Sequence, residues 1–319
     1  MEQNTIAIIW DFDKTLVNGY MQKPIFEKYN ISEHDFWNEV NELEEEYSRQ
    51  GIRVNRDTIY LNHFITCTQQ GVFPKLNNKM LRELGKELEF YEGIPSIFNE
   101  LRETIESNPK YKTFNIQVEH YIVSTGLAEM IKGSIINDYV KGIWGCEFIE
   151  EPIKSSLVIK EYQSKDQEAN KEAQISQIAY AIDNTSKTRA IFEINKGANL
   201  FSEIDVNSKI DQKDRRVPFE NMIYIADGPS DVPAFSVLKN NGGKAFAIYP
   251  KGDMIAFKQV NSLIRDGRID MLGEADYLKD TTTYLWLKEQ VETIANNIYT
   301  RKLQQINSSV SKAPIHITE

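Results

Sequence analysis

The sequence predicts an α/β protein with a doubly wound, Rossmann-like parallel sheet and an inserted all-helical domain. Three apolar, β-branched runs indicate the sheet, at residues 6–10, 121–123 and 222–226. Such runs are typical of parallel strands that are buried on both faces. Each run is followed by carboxylates or hydroxyls, and in open α/β sheets ligands bind beyond the carboxyl ends of the strands. We therefore expect a functional site at that edge of the sheet.

The strand pattern disappears after the first strand and does not return until about residue 91. Three helices are predicted in this interval, at residues 32–50, 56–70 and 76–90. Ser32 is the expected N-cap of the first helix, which has one apolar face, and Gly71 is expected to end the second. A block of helices placed directly after the first strand predicts a cap domain, which we assign to residues 19–90.

The α/β core is assigned to residues 1–18 and 91–306. Its further strands are predicted at residues 117–123, 142–149 (a strand or a hairpin arm), 222–226 and 244–249. Its helices are predicted at residues 95–106, 127–136, 186–195, 231–239, 254–265 and 282–299. Residues 154–182 have no clear pattern; their charged centre, 165–172, is expected to be a solvated loop or helix face. Residues 202–216 are expected to be a polar surface excursion, and the polar tail 307–319 to be disordered.

The composition restricts the class of protein. A chain of 319 residues with 41% hydrophobic and 26% charged residues can form a full core and an accessory domain. The net charge of −10 argues against a general nucleic-acid or anionic-membrane binder. Cys67 and Cys146 lack metal-ligand spacing and are consistent with a reducing compartment. The first strand begins almost at once and no apolar run has membrane-spanning length, so we expect a cytoplasmic location.

The segment DFDKT, at residues 11–15, supplies groups that phosphoryl transfer from a monoester needs. That reaction requires a nucleophile in line with the leaving group and an acid that protonates the leaving oxygen. Asp11, at the end of its strand, is the candidate nucleophile and would form an aspartyl-phosphate. Asp13 is the candidate acid, and afterwards the base that takes a proton from water. Thr15 is predicted to orient Asp13 through a hydrogen bond.

Four carboxylates are expected to crowd together at this edge: Asp11, Asp13, Asp227 and Asp231. Crowded carboxylates raise one another's pKa unless a divalent cation is bound. Oxygen ligands without histidine or cysteine partners favour Mg²⁺ over zinc. The sequence therefore predicts a Mg²⁺ site. The four histidines lie away from these segments, and we expect each to be exposed or satisfied in the core.

The remaining requirement is a binding site for the phosphate group. The Ser124 hydroxyl, with the backbone N–H groups near Thr125 and Gly126 at the opening of a helix, is the candidate anion site. Lys187, in the first turn of a predicted helix, is the candidate fixed cation, and Lys196 is its rival. Asp231 is assigned a supporting role, with an ordinary interaction with the helix dipole as the alternative.

These segments resemble the signature of the haloacid dehalogenase superfamily, in particular its phosphoserine-phosphatase-like group with a helical C1-type cap. Residues 11–15 match its DxDxT loop, Ser124 matches its second motif, and residues 227–231 match its DGxxD segment. The order of the motifs and the position of the helical block between the first two also match. The resemblance is strong from residue 6 to about residue 249 and weak in the C-terminal helices.

The resemblance implies a set of roles for these residues. Mg²⁺ would be held by the Asp11 carboxylate, the Asp13 backbone carbonyl and Asp227. Asp231 would orient Lys187 or a metal-bound water. The implied activity is that of a Mg²⁺-dependent phosphomonoester hydrolase that acts on a small phosphorylated metabolite.

Two positions depart from the pattern of members that are specific for phosphoserine. Those members carry a glutamate where this chain has Tyr20, and an asparagine where it has Ser230. Arg53 and Arg56 are poor matches for the arginine that binds the substrate carboxylate in those members. The sequence therefore disfavours phosphoserine as the substrate.

Three alternative functions remain open. A phosphotransferase or mutase of the same fold would pass the phosphoryl group to an alcohol. A sugar-nucleotide transferase would use Asp11 and Asp13 to hold Mn²⁺, although this leaves Thr15, Ser124 and Asp227 without a role. A phospho-ligand-binding protein without turnover would need no catalytic acid.

Overall fold

The computed structural model describes residues 2–153 and 173–310, with side chains as far as residue 308. Within these residues the strands are β1 (Thr5–Trp10), β2 (Gln117–Leu127), β3 (Gly142–Ile149), β4 (Gln177–Tyr180), β5 (Met222–Ala226), β6 (Lys244–Tyr249) and β7 (Met271–Glu274). They form a seven-stranded sheet in the order β4-β3-β2-β1-β5-β6-β7. All neighbouring pairs are parallel except β3 and β4. This order confirms the predicted doubly wound α/β fold.

The helices are α1 (Lys23–Tyr29), α2 (Glu33–Arg49), α3 (Ile59–Gln69), α4 (Asn78–Leu84), α5 (Ser96–Glu106), α6 (Pro109–Lys112), α7 (Ala128–Gly133), α8 (Lys187–Lys196), α9 (Val232–Asn240), α10 (Met254–Arg265) and α11 (Thr282–Val310). Side chains of α8, α9 and α10 form one apolar core on a face of the sheet. Side chains of α5 and α11 contribute to the core on the opposite face. The sheet is therefore covered on both sides.

The position of β1 at the centre of the sheet explains why its residues from Ile6 to Trp10 are all apolar. All six of its residues are buried. Ile8 and Trp10 belong to one core, and Ala7 and Ile9 belong to the other. Because successive side chains of a strand point to opposite faces, a strand covered on both sides has no position for a solvent-exposed polar residue.

The four helices α1–α4 lie between the first two strands of the chain, where the sequence predicts a helical block. We call residues 18–90 the helical insert. The Ser32 hydroxyl caps α2 by accepting from the Asp35 N–H, as predicted. The two connections to the core run side by side, since Asn18 N–H donates to Glu89 O and Val17 bridges to Phe90.

Several predicted boundaries were wrong. The helix predicted at residues 76–90 ends at Leu84 and continues only as a 3₁₀ turn from Gly85 to Glu87. A Cβ atom at Gly85 would lie 2.1 Å from Met130 O, so close packing against α7 requires glycine there. The helix predicted at residues 127–136 is shorter, because β2 continues through Leu127. The short elements α1, α6, β4 and β7 were not predicted, since four to seven residues give little periodicity.

The last helix is longer than predicted. Helix α11 runs through Val310, beyond the predicted end at residue 299 and into the segment assigned to a polar tail. The rest of that tail, and the charged centre at residues 165–172, lie outside the described residues. No helix of the described part of the chain, α11 included, combines the length and apolarity needed to cross a membrane.

The histidine of strand β2 is satisfied in the core, as expected. His120 is fully buried; its Nδ1 lies 3.2 Å from Trp10 Nε1, and its Nε2 lies 3.0 Å from Phe98 O. Nδ1 must accept from the indole N–H, and Nε2 must donate to the carbonyl, so only the neutral ring satisfies both partners. Burial lowers the pKa of His120 to about 3, and the charge of Arg102 acts in the same direction.

We expect His120 to make the fold less stable as the pH falls. Its pKa in the folded chain is lower than the ordinary value of 6.5. The stabilisation is therefore complete above pH 6.5 and is lost progressively as the pH falls towards 3. Between pH 7 and pH 5 this group alone should remove about 2 kcal/mol from the free energy of unfolding. Other groups titrate in the same range, so the quantity to compare is the difference between the wild type and His120→Asn in urea unfolding. A difference that is the same at both pH values contradicts the prediction.

Candidate active site

The three polar segments predicted from the sequence meet at one edge of the sheet. Strands β2, β1 and β5 are neighbours, with β1 in the centre. Asp11 follows β1 directly, Asp227 follows β5 directly, and Ser124 lies near the end of β2. The Asp11 N–H donates to Ile225 O at 2.8 Å, which extends the pairing of β1 with β5. The parallel register therefore brings residues from distant parts of the sequence together.

A buried lysine links the first segment to the third. Lys187 Nζ donates to Asp11 Oδ1 and to Asp231 Oδ1, both at 2.7 Å. The three side chains are almost inaccessible, with 2%, 8% and 0% exposure for Lys187, Asp11 and Asp231. Burial alone would lower the pKa of Lys187, but the two carboxylates raise it above its ordinary value. The lysine is therefore a fixed positive charge at the candidate nucleophile, at the first position of α8 as predicted.

Asp231 is held by residues of its own strand and loop. Its Oδ1 also accepts from the Tyr224 hydroxyl at 2.6 Å, and its Oδ2 accepts from Ser230 Oγ at 2.9 Å. Burial raises the pKa of Tyr224 well above its ordinary value, so the phenol stays protonated and donates. Tyr224 was not predicted as a site residue, because within the apolar run of β5 it is indistinguishable from a core aromatic. With both oxygens occupied, Asp231 is placed to position Lys187.

The carboxylates of Asp11, Asp227 and Asp231 form a cluster that suits a divalent cation. One oxygen of each lies within 4.8 Å of the others. Burial raises the pKa of Asp227 to about 6, and the charge of Asp231 adds to this effect. Burial also raises the pKa of Asp11, against the opposing effect of Lys187. Crowded, buried carboxylates of this kind are stabilised by a bound cation, and an all-oxygen set suits Mg²⁺. The Asp13 side chain is not part of this cluster; its predicted contribution is a backbone carbonyl.

Asp13 lies beside the cluster in a different environment. Its Oδ1 accepts from the Met21 N–H at 2.9 Å. Burial raises the pKa of Asp13 to about 7, and the hydrogen bond from Met21 opposes that change. A carboxyl group with this pKa is populated in both protonation states near neutral pH. It can therefore give a proton and take one back.

Thr15 occupies a different position from the one predicted. Its hydroxyl lies 3.4 Å from Asp11 Oδ2 and contacts the candidate nucleophile, whereas the sequence predicted a contact with Asp13. The loop turns back on itself, since the Thr15 N–H donates to Phe12 O, and this returns the side chain to the end of β1. The Thr15 carbonyl accepts from the buried Tyr277 hydroxyl at 2.5 Å. A residue from the segment after β7 thus holds the loop in place.

The second segment also differs from its prediction. Ser124, Thr125 and Gly126 lie within β2, which continues beyond its predicted end at residue 123, and α7 begins two residues after Gly126, at Ala128. The register of β2 against β3 shifts between Val123 and Leu127, so the strand continues past an irregularity. Ser124 is buried, and its Oγ accepts from the Gly126 N–H at 3.0 Å. The hydroxyl lies near the same edge of the sheet as Asp11, and the N-terminus of α7, predicted at residue 127, follows the strand directly at Ala128.

The helical insert contacts the core beside these residues. The Tyr60 hydroxyl of α3 donates to Thr125 O at 2.6 Å. Asn55 Nδ2 donates to Asp183 Oδ2 at 3.0 Å, four residues before Lys187. The insert therefore lies over the edge of the sheet where the segments meet. The rival cation Lys196 is not at this edge; its ammonium donates to the carbonyls of Val206 and Ser208.

Comparison with known proteins identifies a relative that is similar to this chain over most of its length. It is 38% identical over 293 residues to an "Uncharacterized protein" of Borreliella burgdorferi, covering 91% of this chain and 97% of that protein. No family model matches the chain.

Two solved structures are similar to the chain at low sequence identity. One is a phospho-aspartyl intermediate analogue of phosphoserine phosphatase, at 14% identity, with a TM-score of 0.48, covering 90% of this chain and 99% of that one. Another is a haloacid dehalogenase family hydrolase from Salmonella enterica serovar Typhi, at 12% identity, with a TM-score of 0.47. That match covers 84% of this chain and 66% of the Salmonella chain, so this chain spans just under two thirds of its length.

Proposed function

We propose that this chain, which belongs to the same family as the Borreliella burgdorferi protein, is a phosphomonoester hydrolase of the haloacid dehalogenase superfamily. The observation that carries this proposal is the buried Lys187 between Asp11 and Asp231. The Lys187 ammonium places a fixed positive charge on the candidate nucleophile, near the edge of the sheet where Asp13 and Ser124 also lie. The proposed substrate is a small phosphorylated metabolite.

In the proposed first step, Asp11 attacks the phosphorus of the ester. A bond forms between a carboxylate oxygen of Asp11 and phosphorus, while the bond between phosphorus and the leaving oxygen breaks. The Asp13 carboxyl group gives its proton to the leaving oxygen, which departs as an alcohol. Lys187 and the Ser124 hydroxyl stabilise the negative charge on the phosphoryl oxygens during transfer. The product of this step is an aspartyl-phosphate.

In the proposed second step, water hydrolyses the aspartyl-phosphate. The Asp13 carboxylate takes a proton from the water as the oxygen of the water bonds to phosphorus. The bond between phosphorus and Asp11 breaks, which releases inorganic phosphate and restores the Asp11 carboxylate. Asp13 ends the cycle protonated, as it began. The helical insert, which lies over this edge, is proposed to act as a cap that limits the access of bulk water and of large substrates.

The site is proposed to hold Mg²⁺ through Asp11, Asp227 and the Asp13 backbone carbonyl. Asp231 belongs to the same carboxylate cluster, but its oxygens already accept from Lys187, Tyr224 and Ser230. Its proposed role is therefore to position Lys187. When bound, Mg²⁺ would neutralise part of the negative charge on the phosphoryl group.

We expect phosphate release from p-nitrophenyl phosphate to need Mg²⁺ and to fall to background with EDTA. Mg²⁺ at about 100 times its Kd should add about 2.7 kcal/mol to the free energy of unfolding, because it binds the folded chain only. Asp227→Asn should raise the Mg²⁺ concentration needed for half-maximal activity at least about tenfold, since a charged ligand is lost. The matched control is Asp211→Asn, at an exposed position. Full activity in EDTA would rule out the metal.

Transfer to an alcohol is the same-fold alternative. The aspartyl-phosphate would then pass to an acceptor in place of water. Adding glycerol or another alcohol and comparing the phosphorylated alcohol with free phosphate separates the two outcomes. The sugar-nucleotide transferase is less well supported, because it gives no role to the Lys187 bridge or to Ser124. Absence of nucleotide-sugar binding in calorimetry would exclude it.

A screen of phosphorylated metabolites with Mg²⁺, measured by phosphate release, is the direct route to the substrate. Orientation of the insert side chains determines which leaving groups fit between the insert and the core. The screen should therefore include leaving groups that differ in charge as well as in size.

A further inference from the structure

A lysine in the first segment has a role that the reaction chemistry does not assign. Lys14 stands between Asp13 and Thr15 and is partly buried. Its backbone is in the left-handed region, with φ at 55°, which is uncommon for a residue with a Cβ atom. The Lys14 N–H donates to Gly19 O at 3.0 Å and closes the loop around this conformation. Such conformations persist where the surrounding structure enforces them, often at functional sites.

The Lys14 ammonium is charged but has no carboxylate partner within the described residues. Its Nζ donates to the Tyr20 hydroxyl at 2.8 Å and lies 4.2 Å from the centre of the Tyr20 ring. The Tyr20 hydroxyl accepts from one of the three N–H groups of the Lys14 ammonium, and the other two can donate to an anion.

A second donor lies close to Tyr20. The rings of Tyr20 and Trp37, the latter from α2 of the insert, have centroids 5.8 Å apart. Trp37 Nε1 is a buried donor without an acceptor in the described part of the chain. A buried N–H group without a partner costs about 1–3 kcal/mol, so an acceptor from outside the chain would stabilise it.

The position of these donors relative to Asp13 indicates what they face. Tyr20 precedes Met21, whose N–H donates to Asp13 Oδ1. Lys14 follows Asp13 directly in the sequence. The donors therefore adjoin the group that protonates the leaving oxygen, on the side where the insert covers the core. In the proposed reaction the leaving group departs beside Asp13, so its body would lie close to these donors.

We propose that Lys14, Tyr20 and Trp37 form the leaving-group subsite and select phosphate esters whose leaving group carries a second anionic group. The chemistry of the subsite is a positive charge with two neutral donors, which matches a carboxylate or a second phosphate. It repels an ammonium group in the same place. This inference rests on the proposed phosphatase function and adds the class of its substrate.

The test compares three two-carbon esters that differ only in the charge of the distal group. They are 2-phosphoglycolate, 2-hydroxyethyl phosphate and phosphoethanolamine, with ethanediol bisphosphate to distinguish a phosphate from a carboxylate. We expect kcat/KM to be at least about tenfold higher for an anionic ester than for hydroxyethyl phosphate, equivalent to about 1.4 kcal/mol. Phosphoethanolamine should be the poorest of the series.

The variant Lys14→Met should reduce the preference for the anionic ester to about onefold, because the charge is lost. Lys14→Arg should restore part of it. Lys23→Met is the matched control, since Lys23 is an exposed lysine paired with Glu27 and Glu89. The ratio of kcat/KM values for two esters is the readout, because a general loss of folded enzyme reduces both values equally.

The results distinguish a failure of the proposed phosphatase function from a failure of the subsite inference. If p-nitrophenyl phosphate is not hydrolysed, the proposed function fails. If it is hydrolysed but phosphoethanolamine is used as well as phosphoglycolate, the subsite inference alone is wrong. A preference for the anionic ester that survives in Lys14→Met also overturns the assignment of Lys14.

Discussion

Replacement of Asp11 by asparagine is expected to reduce phosphate release from p-nitrophenyl phosphate at least about 10⁴-fold. An amide oxygen is a poor nucleophile, and the variant cannot form the aspartyl-phosphate. The fold should survive, because asparagine keeps the shape of the side chain and retains an oxygen that accepts from Lys187 Nζ. Hydrolysis is measured with Mg²⁺ at saturation, so that weaker metal binding is not mistaken for a chemical effect.

The matched control for this variant is Asp266→Asn, at an exposed position after α10. It makes the same chemical change away from the carboxylate cluster, and its activity should equal that of the wild type. Circular dichroism and thermal unfolding establish that both variants are folded. Turnover by Asp11→Asn at the wild-type rate would remove the covalent mechanism, and with it the assignment of Asp11 as the nucleophile.

Replacement of Lys187 by methionine is expected to affect both activity and stability. Two buried carboxylates lose the charge that they share, and breaking a buried ion pair in this way costs about 3–5 kcal/mol. Activity should fall about 10³-fold, because a fixed cation no longer stabilises the transferred phosphoryl group. Stability is measured by urea unfolding in EDTA, since a bound divalent cation would itself compensate the carboxylates.

Two further variants separate the effects of charge from those of packing. Asp231→Asn added to Lys187→Met removes one of the two stranded charges, so part of the lost stability should return while activity stays low. Lys196→Met is the control, because it changes a lysine at the other end of α8 that donates to loop carbonyls. A Lys187→Met enzyme with near-normal activity would show that the bridge is structural only.

Local patterns in the sequence were sufficient for the main features of the core. The apolar runs of β1, β5 and β6 coincide with strands of the sheet, because burial on both faces leaves an unambiguous apolar signal. Capping residues and helical periodicity located α2 and α8 to within a residue or two. The position of Lys187 in the first turn of its helix favours it over Lys196, and in the structure its ammonium donates to Asp11.

Errors were concentrated where local signals are weak or where packing overrides them. Strand β2 was predicted to end at residue 123, but its pairing with β3 extends it to Leu127. Helix α4 ends before Gly85, a position at which the close approach of α7 leaves no room for a Cβ atom. The edge strands β4 and β7 are four residues each, too short for a periodic pattern to distinguish them from loops.

The sequence by itself determined which residue types stand at the ends of buried strands, since each strand and its polar successor are contiguous in the chain. It did not determine which of them touch. The Thr15 and Tyr224 hydroxyls reach partners four and seven positions away through the turns of their own loops. The bond between Lys187 and Asp11, in contrast, joins residues 176 positions apart. Contacts of this kind depend on how whole elements pack, and packing involves atoms from many segments at once. For this reason the sequence was sufficient to predict the residue types of the site, whereas the tertiary structure determined which of these residues form hydrogen bonds with one another.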